Sequence, residues 1–98
     1  MKIEFLPIAE TELDKAYHWY ESQQPNLGVQ FLNEINQSLK RITAYPEALV
    51  KITPDIRRCL VKRFPYGVLY GIDSDKIIVV AVMHLHRKPD YWLSRIEK

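Results

Sequence analysis

The sequence predicts an α+β domain in the order β-α-α-β-β-β. An antiparallel two-helix hairpin is expected on one face of a twisted, mostly antiparallel four-stranded sheet, with a short C-terminal helix. Three observations lead there. Two segments of helical period are joined at Pro25-Asn26, three β-rich segments lie between residues 57 and 86, and the last of these is apolar on both faces. The chain has 98 residues and 47% hydrophobic content, which suits one domain over residues 1–98 and excludes disorder.

The elements follow in order. Residues 2–6 read as a first strand, ended by Pro7, whose fixed φ suits the first turn of a helix. From Ile8 to Gln23, Leu13, Ala16, Tyr17 and Tyr20 recur at helical spacing, and Glu10, Glu12 and Asp14 sit in the early turns, where the helix dipole favours negative charge. Asn26 is the expected N-cap of a second helix, with Gly28, Phe31, Leu32, Ile35, Leu39 and Ile42 along one face up to Tyr45. Pro46 stops it. Residues 50–55 read as a loop, with an edge strand as the alternative.

Residues 57–64 read as a strand, Pro65-Tyr66-Gly67 as a turn, and Val68 to Ile72 as the next strand. Asp73-Ser74-Asp75-Lys76 makes a second turn. Ile77 to His86 is the third strand, expected at the centre of the sheet because both faces are apolar as far as Leu85. Strand one is expected beside it. Pro89 limits further extension, and Tyr91 to Ile96 is read as the closing helix.

Charge is unevenly distributed. Residues 1–50 carry 4 Lys/Arg against 7 Asp/Glu, a net −3, while residues 51–98 carry 10 against 5, a net +5. The second half therefore suits an acidic partner, either nucleic acid or an acidic protein segment. The single Cys59 excludes an internal disulfide. The N-terminus turns acidic too early for a signal peptide, and the apolar run Ile77–Met83 is far short of a membrane span, so a cytoplasmic protein without membrane attachment is expected.

Several residues could carry function. Arg58, Leu60, Lys62 and Phe64 share one face of their strand; Arg57, Cys59, Val61 and Arg63 share the other. The basic side chains are either solvated edge charges or an oxyanion-binding surface, for which paired arginines are well suited. His84 and His86 point to one face of the last strand. RNA cleavage needs a base, an acid and positive charge for the phosphorane, which His84 or His86 with Lys62, Arg63, Arg87 and Tyr91 could supply. The alternative is a packed His84 with His86 at the rim. A His-x-His pair without a third ligand makes a poor zinc site, so no metal is expected. Tyr91 and Trp92 either close the core or present stacking surfaces. No phosphate loop, dinucleotide fingerprint or nucleophile elbow is present, and no cofactor is expected.

Across nearly its whole length the chain resembles the toxins of the RelE/ParE superfamily, the stable partners in type II toxin–antitoxin (plasmid stabilisation) modules. The resemblance is carried by Ala16-Tyr17-His18-Trp19-Tyr20-Glu21, Leu27-Gly28, Phe31-Leu32-Asn33-Glu34-Ile35, Pro46 and Ile56-Arg57-Arg58. It continues through Val61-Lys62-Arg63-Phe64-Pro65-Tyr66-Gly67, Val68-Leu69-Tyr70 and Ala81-Val82-Met83-His84, then Arg87, Pro89, Tyr91-Trp92 and Arg95.

The resemblance implies a growth inhibitor neutralised by a co-encoded antitoxin, with toxin and antitoxin forming a heterotetramer or larger complex and reaching promoter DNA only through the antitoxin. RelE-like members cut mRNA on the ribosome; the matching positions here are Lys62 or Arg63, Arg87 and Tyr91, with His84 nearby. ParE-like members act on DNA gyrase without a nuclease site, and the low net charge and the tail carrying Arg95 place this chain nearer to them. Arg57, Arg58, Arg63, His86, Trp92 and Arg95 are the expected contacts to antitoxin or target.

Overall fold

Strand β5 (Lys76–His84) organises the molecule because both of its faces are apolar and both of its edges are taken. In this computed structural model, which describes residues 1–96, β1 (Lys2–Phe5) pairs with it in parallel on one side. On the other side lies antiparallel β4 (Tyr66–Asp73), followed by β3 (Arg57–Leu60) and β2 (Val50–Lys51). The sheet order is β1-β5-β4-β3-β2. The expected four strands thus become five, because the chain before Arg57 folds back far enough to pair Val50 with Arg58 and Lys51 with Arg57.

Helices α1 (Pro7–Gln23) and α2 (Leu27–Ala44) form the hairpin and cover one face. Ala9, Ala16, Phe31, Ile35 and Ile42 pack there against Cys59, Val68, Tyr70, Ile77, Val79 and Val82. The opposite face is covered at one end by the C-terminal segment: Trp92, with Tyr91, Leu93 and Ile96, packs on Ile56, Leu69, Val80, Ala81 and Met83. That segment contains a single 3-10 turn, Leu93–Arg95, in place of the expected helix over Tyr91–Ile96. Trp92, just before that turn, is only 1% exposed against this face of the sheet.

An irregularity in β5 makes the two faces compatible. Tyr70 pairs with Val79 and Leu69 with Ala81, so Val80 has no residue opposite it. A one-residue bulge shifts the alternation of side chains. Val79 and Val82 therefore face the helices, while Val80, Ala81 and Met83 face the C-terminal segment.

Two strand boundaries differ from the expectation. β3 stops at Leu60 rather than residue 64, since Arg63 adopts a left-handed φ of 71° and the chain reverses over residues 61–65. The reversal turns Phe64 inward, where its ring centroid lies 4.8 Å from Tyr20 and 5.2 Å from Phe31. Tyr66 and Gly67, expected in the turn, instead begin β4 opposite His84 and Met83. β5 ends at His84 rather than His86, because the Arg87 N–H closes a turn on the His84 carbonyl.

The helical joint is also built differently from the expectation. Asn26 occupies the N-cap position with φ 71°, but its side chain makes no capping bond. Glu21 of α1 does this instead, its carboxylate accepting from Asn26 N at 3.0 Å and Gly28 N at 2.9 Å. Free N–H groups at a helix start are thereby satisfied from the preceding helix. Gly28 is required by the close approach: a Cβ there would lie 2.7 Å from the Tyr17 carbonyl oxygen. Overpacking of this kind costs about 1–3 kcal/mol, more than the roughly 1 kcal/mol of helix propensity that alanine returns. Gly28→Ala is therefore expected to lower the urea midpoint; an unchanged or higher midpoint would contradict the close helix crossing.

Candidate functional site

The site begins where β1 ends. The last bond of this pairing runs from Leu6 N to Val79 O, so β5 continues past its parallel neighbour with backbone groups to satisfy. The bulge presents the Val80 carbonyl and the Val82 N–H to side chains. Arg95 Nη1 donates to Val80 O at 3.0 Å, and Val82 N donates to Glu12 Oε1 at 3.0 Å. Glu12 arrives there because α1 starts after a single connecting residue, Leu6.

Glu12 gathers the surrounding donors. Arg95 binds it in a fork, Nη1 to Oε1 at 2.8 Å and Nη2 to Oε2 at 2.9 Å. Tyr91 Oη donates to Oε2 at 2.5 Å, and Arg87 Nη1 lies 3.5 Å from the same oxygen. Two guanidinium groups lie over the Tyr91 ring, with Arg87 Cζ 3.7 Å and Arg95 Cζ 4.9 Å from its centroid. Both partners of the fork are nearly enclosed, the Arg95 side chain 10% and that of Glu12 12% exposed.

The electrostatics follow. Burial opposes ionisation of Glu12, but bonds from Arg95, Tyr91 and Val82 N, with the Arg95 charge, outweigh it and hold the carboxyl below its ordinary range. Burial and the Glu12 hydrogen bond push the Tyr91 phenol well above its ordinary value. Tyr91 is thus a fixed, protonated donor, unsuited to accept a proton near neutral pH.

Beside this anchor, α1 and the end of β5 leave an open cleft of about 190 Å³. Lys15 and Trp19 line its helical wall, and Tyr66, His84 and Arg87 line the other. His84 Nδ1 accepts the backbone N–H of His86 at 3.1 Å, and the two rings lie 5.1 Å apart.

The remaining sequence candidates are dispersed. Arg63 donates to Gln30 at 2.7 Å and lies 3.6 Å from Glu34, both on α2, while Lys62 is exposed in the same turn. Arg87, Tyr91 and Arg95 meet at Glu12, so the fold does not gather Lys62 and Arg63 around the same carboxylate. Arg57 donates to the Leu49 carbonyl at 2.7 Å. Arg58 projects from the opposite face of β3, its stem crossing Gly67, where a Cβ would lie 3.1 Å from Arg58 Cγ and Cδ. Neighbouring strand residues point apart, so these two arginines do not form one clamp. Trp92 is enclosed and donates from Nε1 to Pro89 O at 2.8 Å, while His86 is exposed. Among the described residues, no group of three or more His, Cys, Asp or Glu is placed to hold a metal ion.

Glu12 is the residue that the sequence reading missed; it was assigned only a dipole role. Its signal was positional. Ala9, Glu12 and Ala16 are spaced three and four apart, which puts a carboxylate on the buried stripe of α1 and requires a cation from elsewhere.

A helical hairpin and a C-terminal strap on opposite faces of a β1-β5-β4-β3-β2 sheet define a RelE/ParE-like protein. A family model described as "ParE toxin of type II toxin-antitoxin system, parDE" matches residues 3–89. The chain belongs to that family and is the toxin component of a toxin–antitoxin system, neutralised by an antitoxin. Among solved structures it is similar to one titled "Chromosomal ParDE TA system from P. aeruginosa", with a TM-score of 0.75 at 18% identity over 88% of this chain and 97% of that one. No curated protein matches. Among the described residues, no helix is long and apolar enough to cross a membrane.

Breaking a buried pair from one side costs about 3–5 kcal/mol, because the surviving charge is left uncompensated. Glu12→Gln is expected to lose about 3 kcal/mol in urea titrations at neutral pH. The acid dependence has a defined sign: a carboxyl lowered in the folded state stabilises in full above its unfolded value and loses that contribution as pH falls through its folded value. Wild-type stability should therefore drop below about pH 5, and the Gln variant should drop less steeply. Equal slopes would remove Glu12 from that role.

Proposed function

We propose that this toxin acts in the cytoplasm by binding and poisoning DNA gyrase, without hydrolytic chemistry of its own. The observation that carries this reading is the Glu12 anchor, which holds Tyr91 as a fixed donor and keeps Arg95 on a carboxylate instead of a phosphate. Tyr91 is committed as a hydrogen-bond donor, Arg95 is forked onto the carboxylate, and Arg87 is stacked on Tyr91. Lys62 and Arg63 lie in a separate turn, with Arg63 engaged by α2. Phosphodiester cleavage needs an acid, a base and positive charge converging on one phosphate. This arrangement is better suited to holding a surface in shape.

The antitoxin would take a different part of the molecule. β2 is only two residues long and leaves the outer side of Cys59-Leu60-Val61 without a neighbouring strand. A groove of about 400 Å³ follows that edge, lined by apolar Leu49, Val50 and Leu60 and by basic Arg41, Arg58 and Lys62. Arg41 already donates to the Leu60 carbonyl at 3.0 Å. An acidic, partly apolar segment would match both kinds of lining. Arg57 and Arg63 flank this surface but keep internal partners, so Arg58 is the stronger candidate contact.

The deciding experiment combines purified gyrase, ATP and supercoiled plasmid with the full-length toxin, then denatures the protein to reveal trapped breaks. Linear DNA that depends on toxin and disappears with antitoxin is expected. The Tyr91→Phe variant, if folded, should retain this activity. Codon-registered mRNA 5′ ends after induction, with no gyrase-linked breaks, would instead establish the ribosome as target and mRNA cleavage as mechanism.

A further inference from the structure

The cleft between α1 and the end of β5 has a composition that neither the core nor the Glu12 anchor explains. Trp19 stands at its mouth with 60% of its surface exposed, outside both hydrophobic clusters. Lys15, one helical turn earlier, is exposed and has no ion-pair partner among the described residues. Arg87 faces them across the opening with its side chain 53% exposed.

The charges do not cancel within the cleft. Glu12 is its one carboxylate, and Arg95 meets that carboxylate at 2.8 and 2.9 Å, whereas Arg87 approaches only to 3.5 Å. The lining therefore keeps an excess of positive charge for an incoming anion: Lys15 has no ion pair among the described residues, and Arg87, half exposed, keeps only its 3.5 Å pair with Glu12. His84 adds direction. Since its Nδ1 accepts the His86 amide hydrogen, the neutral imidazole carries its proton on Nε2 and presents a donor there.

An exposed indole beside two cations and an N–H donor matches an anion attached to a flat ring. We propose that this cleft binds one nucleotide of a single-stranded nucleic acid, its base against Trp19 and its phosphate between Lys15 and Arg87 with His84 Nε2 donating. Base–aromatic stacking next to a basic track is the usual means of holding single strands without sequence preference. The proposal goes beyond the gyrase reading and does not depend on it.

Intrinsic fluorescence offers a direct test, because the chain has two tryptophans and Trp92 is enclosed. Titration of the full-length protein with oligo-dT and oligo-U of six nucleotides should quench the exposed, red-shifted Trp19 emission. It should leave the Trp92 component unchanged. In anisotropy with a labelled oligonucleotide, Trp19→Ala should weaken binding about tenfold. The Lys15→Gln/Arg87→Gln double variant should make the slope of log K against log salt shallower by about 0.7, the value for one phosphate contact on a single strand. Lys40→Gln, on the exposed side of α2, should change neither. Absence of quenching by either oligonucleotide with a natively folded protein would overturn the proposal. So would quenching by an acidic peptide alone, which would assign the cleft to a protein, or an unaltered salt slope in the double variant.

Discussion

The carboxylate of Glu12 is the junction on which the rest of the structure depends. It joins three parts of the chain that share no backbone pairing with one another: the first helix, the continuation of β5 past the end of β1, and the C-terminal segment. A buried ion pair is not by itself a large source of stability, since desolvation offsets most of its attraction. Its value lies in geometry. One anion that must receive a forked guanidinium, a phenol and a backbone N–H permits a single register between α1 and the C-terminal segment. With that register set, Trp92 can close the second face of the sheet.

The bulge at Val80 is the backbone counterpart of this junction. Without it, Ala81 would turn toward the helices, and the Val80 carbonyl and Val82 N–H would not be presented to Arg95 and Glu12. A local irregularity in one strand thus decides both how β5 divides its apolar residues between two cores and where polar side chains finish the sheet edge. Small domains have little core to spare, so covering both faces of a five-stranded sheet with a hairpin and one tryptophan is economical.

The basic half of the chain is partitioned rather than pooled. Arg87 and Arg95 serve the carboxylate junction, Arg63 is tied to α2, and Arg57 is tied to the loop carbonyl of Leu49. Arg58 and Lys62 remain at the open β2–β3 edge, while Lys15 joins Arg87 at the cleft between α1 and the end of β5. The two surfaces differ in shape and in aromatic content.

By itself the sequence determined the order of the elements apart from β2, the helical hairpin, the central place of β5 and the pairing of β1 beside it. Each follows from local period, from proline position, or from apolar residues on both faces of a strand, which are properties of neighbouring residues. It also carried the family resemblance through motifs spread along the chain. Only the tertiary structure decided that Glu12 rather than solvent would meet Arg95, across 83 residues, and that Glu21 rather than Asn26 would cap α2. It likewise decided that Arg63 would turn toward α2 and that the chain would reverse after Leu60. These outcomes depend on which side chains arrive together once the sheet has twisted and β5 has shifted its alternation. No period along the chain records a meeting of that kind, because its energy resides in burial and hydrogen bonding between distant residues.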